Sequence, residues 1–198
     1  YSHFLDGIFF EELGIEKPKY FLDIGSSSQS HQTGETIRKA GIVFENEKPD
    51  LMISFSDANP ALAAIAATKM QIKVAHIESG MRSNDFRMPE EKNRRMIDHI
   101  SDYLFCPTEE ARSNLMNEGI ANNKIFISNK LIIDSLIKYK RQINNSKALE
   151  TYDVDKDNYF LVTLHRPENV EDEKNLNSLI NGLSLVHNYS GYQIVAIL

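Results

Sequence analysis

Short apolar runs alternate along the chain with longer segments whose apolar residues recur at helical spacing. This alternation constrains the fold more than any other feature, because it is typical of βαβ units, in which parallel strands lie beneath helices. We therefore predict an α/β fold with a parallel sheet that helices cover on both faces. The apolar runs predict strands at 19–25, 51–55, 72–77, 103–106, 124–128, 158–164 and 191–198. The segments between them predict helices at 3–13, 33–47, 61–70, 89–101, 108–119, 131–143 and 173–188.

A polar stretch without periodicity, residues 144–158, divides this pattern into two parts. We expect an N-terminal domain over residues 1–147, without its first strand, and the start of a second domain over residues 148–198. The chain begins at Tyr1 rather than at a methionine, and it stops within an apolar run. These observations lead us to expect a piece of a longer protein.

The composition argues against several classes of protein. There are 22 Lys and Arg against 28 Asp and Glu, and the formal charge of −6 argues against a nucleic-acid or anionic-membrane partner. The single cysteine, Cys106, excludes internal disulfides and multi-cysteine metal sites, and we interpret it as an inert core residue. The sequence has no membrane-length apolar run, secretory leader, HExxH, GxGxxG, P-loop or GxSxG motif. We expect a cytoplasmic protein with no membrane partner and no metal site.

Titratable residues follow three of the predicted strands, and a fourth opens a helix. Ligands bind beside the carboxyl ends of strands in open parallel sheets, so Asp57, Glu78 and His165 are candidate site residues. Glu90 begins a helix after the long loop that starts at Glu78. Carboxylates and imidazoles at such positions are suited to acid–base chemistry on a bound ligand.

The first two candidates also have structural interpretations. Asp57 could cap the helix that follows it. Glu78 could form a salt bridge with Arg82, which is otherwise a candidate for binding phosphate. Gly80, between them, permits close backbone approach to a ligand.

Glu90 and His165 also have structural interpretations. Glu90 and Glu91 follow a proline, which suits a helix start, and each has an arginine four residues on with which it could pair. His165 could be a surface loop residue. We interpret His76, inside a predicted strand, and His99, late in a helix, as structural.

Three segments together match the motifs of a known family: HIESGMRSNDFRMPEEKNRR (76–95), PTEEARSNLMNEGI (107–120) and VTLHRPENV (162–170). From about Phe9 to its end the chain resembles the UDP-N-acetylglucosamine 2-epimerases, and is most similar to their non-hydrolysing bacterial and archaeal type. The resemblance implies two Rossmann-like domains in a GT-B-type architecture. It further implies a UDP-sugar substrate, no metal or nicotinamide cofactor, and a homodimer.

The resemblance also implies a mechanism and its residues. UDP is eliminated across C1–C2 of the sugar, and it adds back with C2 protonated from the other face, which requires an acid and a base near C2. The implied catalytic residues are Asp57, Glu78, Glu90 and His165, and which carboxylate takes the C2 proton stays open. The implied substrate-binding residues are Arg82, Asn93, Arg94, Arg166, Glu168 and Asn169.

Two positions depart from the family pattern. Ser56 precedes Asp57 where the family usually has glycine, and Asn129-Lys130 stands where it has Gly-Asn, so we expect altered turns there. The leading hypothesis is interconversion of UDP-N-acetylglucosamine and UDP-N-acetylmannosamine. The alternatives are a 2-epimerase of a 6-deoxy UDP-sugar, a hydrolysing 2-epimerase, and a non-catalytic nucleotide-sugar-binding homologue. Without the family's phosphate loop and most of its second domain, the isolated chain is expected to be inactive.

Overall fold

The computed structural model describes residues 7–164 and 167–197, and the chain divides into two compact units. The first unit ends at Asp134 and the second begins at Ser135. The predicted domain boundary at residue 147 falls inside the second unit and stays a prediction.

The first unit is built on a parallel sheet of four strands in the order β1-β2-β3-β4. A parallel pair, β5 and β6, forms the sheet of the second unit. Six of the predicted strands are thereby confirmed. The strands are β1 (Leu51–Phe55), β2 (Lys73–Ile77), β3 (Tyr103–Cys106), β4 (Ile125–Ile127), β5 (Tyr159–Thr163) and β6 (Gln193–Ile197).

The predicted strand at 19–25 is wrong. Asp23 has a positive φ of 48°, which interrupts an extended run. The carbonyl oxygens of Leu22 and Asp23 accept hydrogen bonds from Lys39 Nζ, at 2.6 and 3.0 Å, instead of from a neighbouring strand. Leu22 packs against the core beneath the helix Gln29–Glu47, so the apolar run serves packing rather than sheet formation.

Helices connect the strands, as the periodicity predicts. The second helix begins at Gln29 rather than Thr33, because Ser28 Oγ accepts a hydrogen bond from the His31 N–H and caps the earlier turn. Short helices at Ala148–Thr151 and Pro167–Val170 were not predicted. The helices are α1 (Ile8–Glu12), α2 (Gln29–Glu47), α3 (Ala63–Lys69), α4 (Pro89–Ile100), α5 (Glu109–Asn117), α6 (Leu131–Lys138), α7 (Lys140–Asn144), α8 (Ala148–Thr151), α9 (Pro167–Val170) and α10 (Glu173–Ser190).

Small and branched side chains form the core of the first unit. Alanines of α3 pack against α2 and β2, and their small size lets the backbones of these elements approach closely. Val74 and Leu104 are fully buried on the central strands, whereas Ile53 and Phe55 of β1 are more than half exposed. The helices therefore cover the two central strands more completely than the edge strand β1.

The turns after the strands use left-handed backbone conformations. Ser56 has a φ of 67°, Glu78 of 66°, Gly80 of 76° and Asn129 of 59°. Ser56 and Asn129 both lie in the left-handed region that glycine favours, and the expectation that they alter their turns stays a prediction.

The backbone at Gly80 lies against α5, so a substitution of this glycine tests that close packing. A Cβ at position 80 would lie 2.2 Å from the carbonyl oxygen of Ala111, and the positive φ adds strain. We expect Gly80→Ala to lower the free energy of unfolding by about 2–4 kcal/mol. The measurement is urea denaturation of the full-length protein that contains this chain.

Gly34→Ala is the matched control, because position 34 lies inside α2 and a Cβ there meets nothing within 4 Å. It should leave stability unchanged or raise it by up to about 1 kcal/mol, since alanine favours helix interiors. Equal effects of the two substitutions would contradict the packing described for Gly80.

Candidate active site

The turns that carry Asp57 and Glu78 leave the sheet side by side. Phe55 pairs with Ile77, and Ile77 pairs with Phe105, so β1, β2 and β3 end at the same edge. The backbone continues this alignment, because the Ser56 N–H donates to the Ile77 carbonyl at 3.2 Å. The first two predicted carboxylates therefore lie on neighbouring turns.

Helix α4 brings further predicted residues to Asp57. Arg94 Nη2 donates to Asp57 Oδ2, and Asn93 Nδ2 donates to the Asp57 carbonyl oxygen at 2.9 Å. Ser56 Oγ donates to Asp57 Oδ1 at 3.2 Å. The alternative in which Asp57 caps a helix is wrong, since the 3-10 turn Asn59–Leu62 follows Ala58 without a side-chain cap. The structure thus groups Asp57 with Asn93 and Arg94.

Glu78 and Glu90 are both half-buried. Within the part of the chain that the structure describes, neither carboxylate shows a hydrogen bond or an ion pair. The alternative salt bridge between Glu78 and Arg82 is not formed, and Arg94 pairs with Asp57 and Glu91 rather than with Glu90. Two predicted acids are therefore left with carboxylate oxygens that no described side chain occupies.

Glu91, the neighbour of Glu90, is fully buried and has a different role. Its Oε2 accepts hydrogen bonds from the Ser83 N–H at 2.9 Å, Ser83 Oγ at 3.0 Å and Arg94 Nη1 at 3.2 Å, while Oε1 accepts from Arg95 Nε at 2.8 Å. Burial alone would raise the pKa of Glu91, but the hydrogen bonds from Ser83 and Arg95 bring it below its usual range. Glu91 anchors the loop to α4. The predicted pair with Arg95 is confirmed, and this spacing was the sequence signal for that role.

Arg82 is a buried ion-pair residue. Its side chain is 2% exposed, and it forms a two-bond pair with Glu118 at 2.7 Å for each bond. Nη1 donates to Asp98 Oδ2 and to the Met81 carbonyl, each at 2.7 Å. Most of its N–H groups are therefore used inside the protein, and the geometry favours positioning of the loop over direct substrate binding.

Arg94 retains one unused donor. Its guanidinium pairs with Asp57 and Glu91, but Nε is buried and is the one such side-chain atom of the described residues that lacks a hydrogen-bond partner. A buried donor without an acceptor is costly, so such an atom in a native fold calls for a functional or solvent explanation.

The second unit carries the remaining predicted residues. Asn169 is half-buried in α9. His165, Arg166 and the side chain of Glu168 lie outside the described residues. These four assignments stay predictions.

Other expectations concern metals, membranes and the cysteine. Residues 7–164 and 167–197 contain no cluster of three or more His, Cys, Asp or Glu side chains suited to a metal ion. None of the described helices is both long and apolar enough to span a bilayer. Cys106 is buried in β3, as predicted, and burial raises the pKa of its thiol.

Comparison with known proteins decides the family. The family model described as UDP-N-acetylglucosamine 2-epimerase matches residues 1–198. The chain belongs to the UDP-N-acetylglucosamine 2-epimerase family. A UDP-N-acetylglucosamine 2-epimerase of Methanocaldococcus jannaschii is 46% identical over 187 residues, which cover 92% of this chain and 51% of that protein. A UDP-2,3-diacetamido-2,3-dideoxy-D-glucuronate 2-epimerase of Pseudomonas aeruginosa is 40% identical over 180 residues, covering 89% of this chain and 50% of that protein.

A solved structure confirms the fold class. The crystal structure of the M. jannaschii enzyme in complex with UDP-GlcNAc and UDP superposes with a TM-score of 0.92 at 41% identity, over 99% of this chain and 55% of that one. The fold is thus Rossmann-like α/β of GT-B type, with a parallel sheet between helices. The chain spans about half the length of the curated relatives it matches first.

The pair between Glu118 and Arg82 predicts a dependence of stability on pH. The hydrogen bond from Arg82 lowers the pKa of Glu118. A lowered folded-state pKa adds stability above the ordinary glutamate pKa of about 4.3, and this contribution is lost as the pH falls through the folded-state value. At pH 7 we expect Glu118→Gln to lower the unfolding free energy by about 2–3 kcal/mol. The difference from the parent should shrink as urea titrations are repeated from pH 7 towards pH 3.

Glu109→Gln serves as the control. Glu109 pairs with Arg112 at 3.3 Å, but its side chain is 73% exposed. Exposed pairs contribute little, so this variant should stay close to the parent at every pH. A Glu118→Gln deficit that is independent of pH would argue against a charge-based contribution.

Proposed function

We propose that the full-length protein containing this chain is a non-hydrolysing UDP-N-acetylglucosamine 2-epimerase. It would interconvert UDP-N-acetylglucosamine and UDP-N-acetylmannosamine by elimination and re-addition of UDP. The observation that carries the proposal is a set of acids at one sheet edge in a chain of this family. Glu78 extends from the same edge as Asp57, and Glu90 lies on the helix whose Arg94 pairs with Asp57.

The chemistry requires groups that exchange protons at C2 of the sugar. Glu78 and Glu90 suit this role because they are half-buried and no described group occupies their oxygens. Asp57 is suited to a role in which its carboxylate keeps one position, since Arg94 and Ser56 bind it. Loss of UDP also needs stabilisation of the departing diphosphate, which we assign to His165 and Arg166.

Further substrate contacts are proposed for the residues around these acids. Asn93 and Arg94 would contribute to sugar binding by holding Asp57 in place. Glu168 and Asn169 would contribute further substrate contacts. Arg82 would act indirectly, since Glu118 and Asp98 occupy its guanidinium. We also propose a homodimer in the cytoplasm that uses no metal or nicotinamide cofactor.

A second substrate is favoured by one observation. The P. aeruginosa relative, at 40% identity, is named for a diacetamido uronic acid sugar nucleotide rather than for UDP-N-acetylglucosamine. Both sugars carry a 2-acetamido group at the carbon that is inverted. The same acids could therefore serve either substrate, and contacts elsewhere on the sugar would decide between them.

Proton exchange at C2 is the direct test. The full-length protein is incubated in deuterated water with UDP-N-acetylglucosamine, and the sugar is followed by proton NMR. We expect deuterium at C2 together with appearance of UDP-N-acetylmannosamine. A parallel incubation with the diacetamido uronate nucleotide and with a 6-deoxy UDP-sugar establishes the substrate preference.

The other outcomes discriminate between the alternatives. Free N-acetylmannosamine with UDP would place the protein with the hydrolysing 2-epimerases. Binding of UDP-sugars without C2 exchange on any substrate would indicate a non-catalytic homologue and contradict the proposal.

Removing the charge of each free acid tests its role. We expect Glu78→Gln and Glu90→Gln each to lower the rate of C2 exchange by about 10²-fold or more, which is typical of lost acid–base catalysis. Glu45→Gln, at an exposed position of α2, is the control and should retain the parent rate. A variant within threefold of the parent would remove that acid from the catalytic set.

A further inference from the structure

The buried His76 of β2 contacts the turn that carries Asp57. Its ring is completely buried, two residues before Glu78 in the chain. Nε2 lies 2.9 Å from the carbonyl oxygen of Ser56, and Nδ1 lies 2.7 Å from Asp98 Oδ1. A carbonyl oxygen only accepts hydrogen bonds, so Nε2 must carry a proton and donate it to Ser56. The contact with Asp98 then requires a further proton between Nδ1 and Oδ1.

Asp98 holds the ring from the other side and is itself fixed. Its Oδ2 accepts hydrogen bonds from the Gly80 N–H at 3.1 Å and from Arg82 Nη1 at 2.7 Å. Both oxygens of this buried carboxylate are therefore used, so the imidazole has one well-defined orientation. The same carboxylate fixes the turn after Glu78 through Gly80.

The Ser56 turn needs such support. Ser56 has a φ of 67°, a left-handed conformation that is unfavourable for a residue with a side chain. Its N–H donates to Ile77, and its carbonyl accepts from His76, so both of its backbone polar groups are bound by β2. The direction of the next residue, Asp57, follows from this conformation.

We propose that His76 is a positioning residue for the reaction: the hydrogen bond from Nε2 to the Ser56 carbonyl sets the direction of the Asp57 carboxylate. The proposal rests on the proposed function for its kinetic test, and it has a structural test that does not. It assigns His76 no contact with the substrate. The effect of losing the hydrogen bond should appear in kcat more than in KM, because displacement of a positioned group by about 1 Å can cost 10²-fold in rate.

Two substitutions separate this hydrogen bond from general packing. In His76→Asn the side-chain nitrogen lies near the place of Nδ1, so it can reach Asp98 but not Ser56. In His76→Gln the nitrogen can reach the place of Nε2 and donate to Ser56. Both variants reduce the buried volume and should destabilise the fold, which thermal denaturation records.

We expect His76→Asn to lower kcat for C2 exchange by about 10²-fold with KM within about threefold of the parent. The kcat of His76→Gln should be about tenfold or more above that of His76→Asn, while the two variants should have comparable melting temperatures. His187→Asn, which removes an exposed imidazole that donates to the Tyr192 carbonyl, is the control and should match the parent. Equal kcat in the two His76 variants, or a kcat for His76→Asn within threefold of the parent, would overturn the proposal.

Crystal structures of the variants provide a test that is independent of activity. In His76→Asn we expect Ser56 to leave the left-handed region and the pair between Asp57 and Arg94 to separate, whereas His76→Gln keeps both. An unchanged Ser56 turn in His76→Asn would overturn the proposal. If the parent shows no C2 exchange, the proposed function fails, and these structures still decide the role of His76.

If His76→Asn does not fold, the substitution is repeated in a Ser56→Gly background. Glycine adopts the left-handed conformation at little cost, so the turn depends less on the hydrogen bond from position 76. We expect the double variant to fold and to show measurable C2 exchange. A double variant that also fails to fold would show that His76 acts in core packing and would overturn the positioning role.

Discussion

The buried carboxylate of Asp98 joins the elements on which the candidate site depends. It accepts hydrogen bonds from the ring of His76, from the backbone of Gly80 and from Arg82. Burying a carboxylate is unfavourable unless charged or hydrogen-bonding partners surround it, so these three groups must all be in place in the folded state. The buried guanidinium of Arg82 also pairs with Glu118, which lies in the segment after α5. One charge thereby connects β2, the loop after it, α4 and the end of α5.

Further ion pairs connect Glu118 to Asp57 at the candidate site. Arg95 bridges Glu118 and Glu91, and Arg94 bridges Glu91 and Asp57. Arg82, Arg94 and Arg95 each pair with two acids, so acids and arginines alternate along this network. Glu78 and Glu90 lie beside this network without a described partner in it. The fold thus separates acids that hold the loop in place from acids whose carboxylates no described residue binds.

Sequence patterns predict six of the strands and most helices because hydrophobic periodicity is a local signal, even though each strand pairs with a distant segment. The helical spacing of Glu91 and Arg95 is a local signal too, and their pair forms as predicted. The partner of Arg82 lies 36 residues away in the chain, and no local pattern reveals it. For the same reason Glu91 could not be distinguished from Glu90 as the structural acid. The failed strand at 19–25 is a further case, since its carbonyls are bound by a lysine of a distant helix turn.

The turn before Asp57 shows how the fold accommodates a departure from the family pattern. Serine stands at position 56, where the resemblance to the family predicts glycine, yet the backbone has a positive φ that glycine would adopt freely. Hydrogen bonds to both backbone groups of Ser56 offset the cost of this conformation, and its hydroxyl adds a contact to Asp57 that glycine cannot make. The support of this turn therefore comes from the neighbouring strand β2 rather than from the flexibility of a glycine. In this chain the direction of Asp57 depends on the interior of the sheet, and so on the same buried charges that hold the loop of Glu78.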